Sequence, residues 1–261
     1  MKYDYTVMKY EYKYLVPNEK LDILRSAIRP FVFNDKYMDL AGSKGYTVRT
    51  IYFDTPAYEY FHEKIDGLKI RKKVRIRGYN RCDPESIVYF EIKRKNEKKV
   101  SKNRSPVRFS DLGGVFSNGD YRQYVLGENG GQRECEDMRR FLYYVHRDCL
   151  QPTILVVYER EAYFGKYDRS VRLTLDKNLR ASFHPSLGGL YKEDHVCYPD
   201  PGHFVLEVKF YHTFPSWLKK TVYMLELQRG AFSKYANCLK RHLVRYNPRQ
   251  IPRDFVRELN L

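Results

Sequence analysis

Acidic residues are in short supply: 32 Asp and Glu stand against 48 Lys and Arg in 261 residues, a formal net charge of +16. Such a surplus implies polyanionic company, whether nucleic acid, an anionic membrane or a phosphate-rich small molecule. Cysteine is sparse as well. Cys82, Cys135, Cys149, Cys197 and Cys238 are odd in number, scattered, and form no Cys-x-x-Cys pair. That excludes a disulfide framework and a zinc ribbon, and it suits a reducing cytoplasm. Long apolar runs are missing: nothing approaches the roughly 20 residues that would span a bilayer, and "MKYDYTVMKYEYKYLVP" does not read as a signal peptide. A membrane role is therefore expected to come only through a partner. There is also no Gly-x-x-x-x-Gly-Lys-Ser/Thr loop. "GSKG" at 42–45 is too short for one, and "HVCYPDPGH", with His195, Cys197 and His203, lacks the fourth ligand and the spacing of a zinc site.

What the chain does have is 43% hydrophobic and 16% aromatic residues, enough for a folded core. Period-2 alternation of β-branched and aromatic residues predicts strands at 9–16, 46–54, 72–79, 86–95, 153–161, 170–176 and 204–210. Helical spacing predicts four helices. One opens at Pro17 and closes at Pro30, one covers Arg133–Arg147, one begins at Pro215, and one begins near Ser233. The glycine-rich stretch after Ser110 reads as an excursion from a sheet, so the expectation is one antiparallel β domain over 1–261, dressed with helices.

The strands share a peculiarity. In "KIRKKVRIRGY", Lys73, Arg75 and Arg77 occupy one face and Val74 and Ile76 the other. The split recurs with Glu91 and Lys93 against Phe90 and Ile92, with Arg172 against Val171 and Leu173, with Glu207 and Lys209 against Leu206 and Val208, and with Glu11 and Lys13 among tyrosines. Two architectures meet this pattern: a half-solvated sheet, or a sheet closed into a barrel with a charged interior and helices outside. In the second, two cations about 5 Å apart at an effective dielectric near 20 repel by roughly 3 kcal/mol, so the interior calls for an anion. Lys234, in the first turn after the N-cap candidate Ser233, would add a phosphate site at a helix start.

Taken in order, "YEYKYLV", "IYFDT", "VRIRGY", "FEIKRK", "VSKNR", "VYERE", "VRLTLD", "VLEVKF" and "FSKY" resemble the catalytic polyphosphate polymerase domain of the vacuolar transporter chaperone complex, a member of the triphosphate tunnel metalloenzymes. The resemblance runs from about Tyr10 to about Leu243. It implies an α+β fold, with an eight-stranded antiparallel tunnel that binds a nucleoside triphosphate together with Mn²⁺ or Mg²⁺. On the matching positions it implies that Lys13, Arg75, Arg77, Lys93, Lys102, Arg160, Arg172, Lys209 and Lys234 hold phosphates, that Tyr158 is a tunnel tyrosine, and that Glu207 is the metal ligand. Hydrolase relatives carry Glu-x-Glu-x-Lys on the first strand, and here those positions are Lys9, Glu11 and Lys13, which weakens a hydrolase reading. The inositol-phosphate sensing domain and the membrane segments of the fungal complex have no counterpart in the sequence. The expected activity is transfer of the γ-phosphate of ATP to a growing polyphosphate chain, with ATP and polyphosphate as partners, nucleic acid disfavoured, and a cytoplasmic location, at a membrane only through another protein. A triphosphate hydrolase, or a non-catalytic module for polyphosphate or RNA, is the alternative.

Overall fold

In the computed structural model, which describes residues 10–246 except 43, 84, 98, 118 and 128–130, the alternating stretches become strands of one sheet. The chain begins with β1 (Tyr10–Pro17), α1 (Leu21–Ile28), β2 (Val32–Asn34), α2 (Lys36–Leu40), β3 (Tyr46–Asp54) and α3 (Glu59–Ile65). Next come β4 (Ile70–Tyr79), β5 (Ile87–Asn96), β6 (Lys99–Arg108), α4 (Leu112–Ser117) and α5 (Gln132–Arg147). The remainder is β7 (Gln151–Gly165), β8 (Arg172–Phe183), β9 (His203–Phe210), α6 (Ser216–Met224) and α7 (Lys234–Tyr246). The strand order is β1-β9-β8-β7-β3-β4-β5-β6, with short β2 paired to β7. The path thus holds the eight strands expected of the tunnel, and its described pairings leave β1 and β6 at its two ends. The fold is α+β, an antiparallel sheet dressed with helices.

The chain forms two compact units: the described residues of Met1–Val48, Tyr158–Leu179 and Asp200–Phe232, and those of Arg49–Val157, Arg180–Pro199 and Ser233–Leu261. Each has its own core, built from the apolar sides of its strands. In the first, Tyr14, Val16, Leu173, Leu175, Leu206 and Val208 meet Leu24 and Ile28 of α1 and Leu218 of α6. In the second, Ile51, Val74, Ile76, Phe90, Ile92 and Val107 meet Met138 and Phe141 of α5. Phe141 lies edge-on to Phe53 and Phe90, with ring centroids 5.6 and 5.0 Å away, a geometry favoured by the ring quadrupole.

The strand faces are those the alternation predicts, and the covering helices at 21–28, 132–147, 216–224 and 234–246 match four expected ones to within a few residues. Sequence periodicity misses β2, β6, α2, α3 and α4. The last three are 5–7 residues long, too short to show a helical period. Their ends are fixed by side chains instead. Asp35 caps α2 by accepting from the backbone N–H of Tyr37 and Met38, and Asp54 accepts from Tyr60 and Phe61 at the start of α3. Among the described residues no helix is long and apolar enough to cross a membrane.

Candidate active site

In the first unit, antiparallel pairing of β9 with β1 and β8 lays charged residues out in rows. Lys13, Glu207 and Thr174 form one row, and Glu11, Lys209 and Arg172 the next. Glu207 is nearly buried, and its two oxygens go to two lysines: Lys209 Nζ at 2.6 Å and Lys13 Nζ at 3.5 Å. Lys13 also reaches Glu11 at 2.9 Å and donates to the carbonyl of Phe232. Arg160 forks onto Asp176 at 2.6 and 2.8 Å, a bidentate pair with the carboxylate fully buried. Tyr158 lies under that guanidinium, 5.2 Å from ring centroid to carbon, which is cation–π distance. Arg172 reaches Asp35 at 3.1 Å.

In the second unit, β4, β5 and β6 give a row of three lysines, Lys73–Lys93–Lys102, beside a row Arg75–Glu91–Arg104. Like charges directly opposite one another are destabilising in a sheet, and the adjacent row supplies the relief. Glu91 is wholly buried. It accepts from Arg75 at 2.8 and 2.7 Å, meets Lys102 at 2.6 Å and lies 3.4 Å from Arg104. Burial alone would raise its carboxyl, but the charges of Arg75, Arg77 and Lys102 win and hold it well below the usual carboxylate range. Tyr52 reports the same field. Burial pushes its hydroxyl up, yet Arg75, Arg77 and Lys234 bring it below the ordinary tyrosine value. Arg77 donates to Thr50 at 3.2 Å and Lys73 to Ser233 at 2.9 Å. Ser233 is the N-cap of α7, accepting from the N–H of Ala236, so Lys234 opens the helix as predicted.

The geometry answers part of the question posed by the alternating cations. Sequence reasoning expects them to repel one another across an unneutralised face. Instead Arg75, Lys102, Arg160, Arg172, Lys13 and Lys209 are each seated against a carboxylate. Glu91 meets Arg75, Lys102 and Arg104 together. The structure brings Lys13, Glu207 and Lys209 together, Tyr158 with Arg160, and Arg75 and Lys102 around Glu91. Lys93 enters by register in the lysine row. Lys9 lies outside the described residues. The sequence reading missed the parts played by Glu91, Asp176, Asp35 and Tyr52. A carboxylate on an otherwise cationic strand face was the available signal for the first two; Asp35 is remote in sequence and Tyr52 carried none.

Among the described residues no three His, Cys, Asp or Glu side chains are arranged to hold a metal ion. Glu207 and Glu11 nevertheless both lie against the ammonium of Lys13, so the donor chemistry around Glu207 already accommodates a cation between carboxylates. One or two carboxylates completed by phosphate oxygens is how Mg²⁺ is usually held, and these residues fit an ion that arrives with its phosphates.

Comparison with known proteins places the chain. Among solved structures it is similar to a putative adenylate cyclase from Vibrio parahaemolyticus, with 12% identity over 88% of this chain and 97% of the other and a TM-score of 0.41. No curated protein matches the chain significantly in sequence. The family model described as VTC domain matches residues 8–243, nearly the whole length. The chain belongs to the VTC domain family.

Proposed function

We propose that this protein is a metal-dependent polyphosphate polymerase that transfers the γ-phosphate of ATP to a growing polyphosphate chain. The observation that carries this reading is the pairing of Glu207, a nearly buried carboxylate, with Lys13 and Lys209 in a VTC domain. Phosphoryl transfer asks mainly for in-line positioning and for neutralisation of charge spreading over the phosphoryl oxygens. Arg75, Arg77, Arg160 and Arg172 grip phosphate oxygens with planar forks, and Lys13, Lys93, Lys102, Lys209 and Lys234 add point charge. Tyr158 keeps Arg160 in its plane. Glu207 would hold Mn²⁺ or Mg²⁺, which would supply positive charge against the phosphate oxygens. The terminal phosphate of the acceptor is already anionic and attacks without a general base, and ADP leaves. The carboxylates Glu91 and Asp176 keep the arginines extended and oriented in the absence of substrate. The whole of 1–261 acts as one catalytic domain, with any membrane contact supplied by a partner.

The deciding experiment measures ADP release together with the chain length of the product. ADP with lengthening polyphosphate supports the proposal; ADP with stoichiometric orthophosphate would make the protein a hydrolase instead.

Two further outcomes are expected. Arg77→Ala weakens triphosphate binding and slows transfer together, by about 1.5–3 kcal/mol for a lost charge-assisted contact, whereas Arg75→Ala also costs stability because it strands the buried Glu91. Ile76→Ala, on the packed side of the same strand and fully buried, costs about 2–5 kcal/mol of stability and leaves binding by the folded protein intact. Denaturant unfolding beside calorimetric titration separates the two, and the opposite pattern would overturn the assignment of faces. In a thermal-shift series at matched ionic strength, tripolyphosphate should stabilise as well as ATP, by about 2.7 kcal/mol at a hundred times its dissociation constant. A short RNA of equal charge should do less. RNA stabilising more would favour a nucleic-acid-binding module.

A further inference from the structure

A cationic cavity lies on the first unit, on the Glu161 side of β7. It measures about 590 Å³ and is lined by Arg25, Arg29, Lys44, Glu161 and Tyr163 over the apolar Ile28 and Val32. That volume is typical of small-molecule sites. Arg160 and Glu161 are consecutive on β7, so their side chains leave opposite faces of the strand. Arg160 goes to Asp176, while Glu161 meets Arg25 of α1 and Lys177 of β8. Glu161 is already fully engaged: Arg25 forks onto it, Lys177 pairs with it, and the Tyr163 hydroxyl donates at 2.9 Å. Burial would raise its carboxyl, and the hydrogen bonds from Arg25 and Lys177 hold it below the usual range instead.

Arg29 and Lys44 are different. Both are exposed, and neither has a carboxylate partner among the described residues. Their positions at the rim are nonetheless built. Lys166 Nζ donates to the carbonyls of Arg29 and Pro30 at 3.3 and 3.1 Å, pinning the backbone that carries Arg29. Gly45, beside Lys44, has φ +93° and passes so close to β7 that a Cβ would lie 2.6 Å from the carbonyl oxygen of Arg160. Only glycine allows that approach, which holds Lys44 against the strand. Two cations without a carboxylate partner among the described residues, Arg29 and Lys44, thus stand at one cavity whose single carboxylate is spent on Arg25 and Lys177.

We propose that this cavity binds a small polyanion carrying at least two phosphate groups. Arg29 offers a planar fork to phosphate oxygens and Lys44 a mobile charge, while Arg25 stays engaged with Glu161 and Asp22. The inference stands independently of the polymerase reading, because no residue of the strand rows takes part.

The test is methyl-labelled NMR of the full chain titrated with pyrophosphate, following the methyl groups of Ile28 and Val32 in the cavity floor. Their signals should shift saturably, and Arg29→Gln combined with Lys44→Gln should weaken that response about tenfold or more, with little effect on folding because both side chains are exposed. Arg77→Ala, which leaves the Arg75–Glu91 pair in place, should leave the response unchanged. The proposal is overturned if Ile28 and Val32 do not move, if sodium chloride at matched ionic strength moves them equally, or if the Arg29/Lys44 variant responds like the parent.

Discussion

Glu207→Gln should lower turnover by about 10²–10³-fold, the usual cost of removing one preorganised electrostatic group from a reacting centre, while triphosphate binding is kept or tightened. The geometry gives the second half of this result its sign. Glu207 occupies both Lys13 and Lys209, and at 8% side-chain exposure it is poorly screened by water. The neutral amide releases Lys209 to an incoming phosphate and leaves Lys13 with Glu11 alone as its carboxylate among the pairs described, so the basic clamp gains charge as the metal ligand is lost. Calorimetric titration with tripolyphosphate, set beside the rate of ADP formation in manganese or magnesium, measures the two effects separately. Full activity in the variant would remove Glu207 from the chemistry. Loss of binding and rate in equal measure would make it a structural residue that only orders the lysines.

The second large effect is on stability. Glu91→Gln should destabilise the folded protein by about 3–5 kcal/mol, the range for breaking a buried ion pair and stranding its partner. Arg75 dominates this cost because its side chain is only 12% exposed, whereas those of Lys102 and Arg104 are nearly half exposed and screened by solvent. The loss should be partly reversed by tripolyphosphate, which would raise the melting temperature more in the variant than in the parent. Acid gives an independent check. Glu91 is held below the ordinary glutamate value, so in acid the unfolded chain binds a proton before the folded protein does. Its contribution is fully present above the ordinary value and is lost as pH falls from there toward the depressed folded value. Glu91→Gln should therefore flatten the acid limb of the stability profile. An unchanged acid limb with unchanged stability would mean that the Arg75–Glu91 pair contributes nothing.

By itself the sequence determined which side of each strand is charged and which is packed. Alternation is a local property, imposed by the backbone on consecutive residues, so Val74 and Ile76 against Arg75 and Arg77 could be read from one short segment and were found buried and polar-facing in turn. It also determined the four long covering helices, whose spacing persists over enough turns to be visible, and the N-cap at Ser233. Tertiary structure alone decided which carboxylate meets which cation. Arg160 meets Asp176 across β7 and β8, Arg172 meets Asp35 from 137 positions away, and Glu91 faces both Arg75 and Arg104 only because β5 pairs with β4 and β6 in one particular register. A shift of one residue in either pairing would turn these side chains to the apolar face, so the partners depend on a register that no single segment encodes. The cavity beside Glu161 depends on the same kind of distant contact, since α1, the Lys44 segment and β7 converge there from three separate stretches of the chain. The same physics sets both limits. Faces follow from covalent geometry within a segment, and charge pairing follows from where folding places segments against one another.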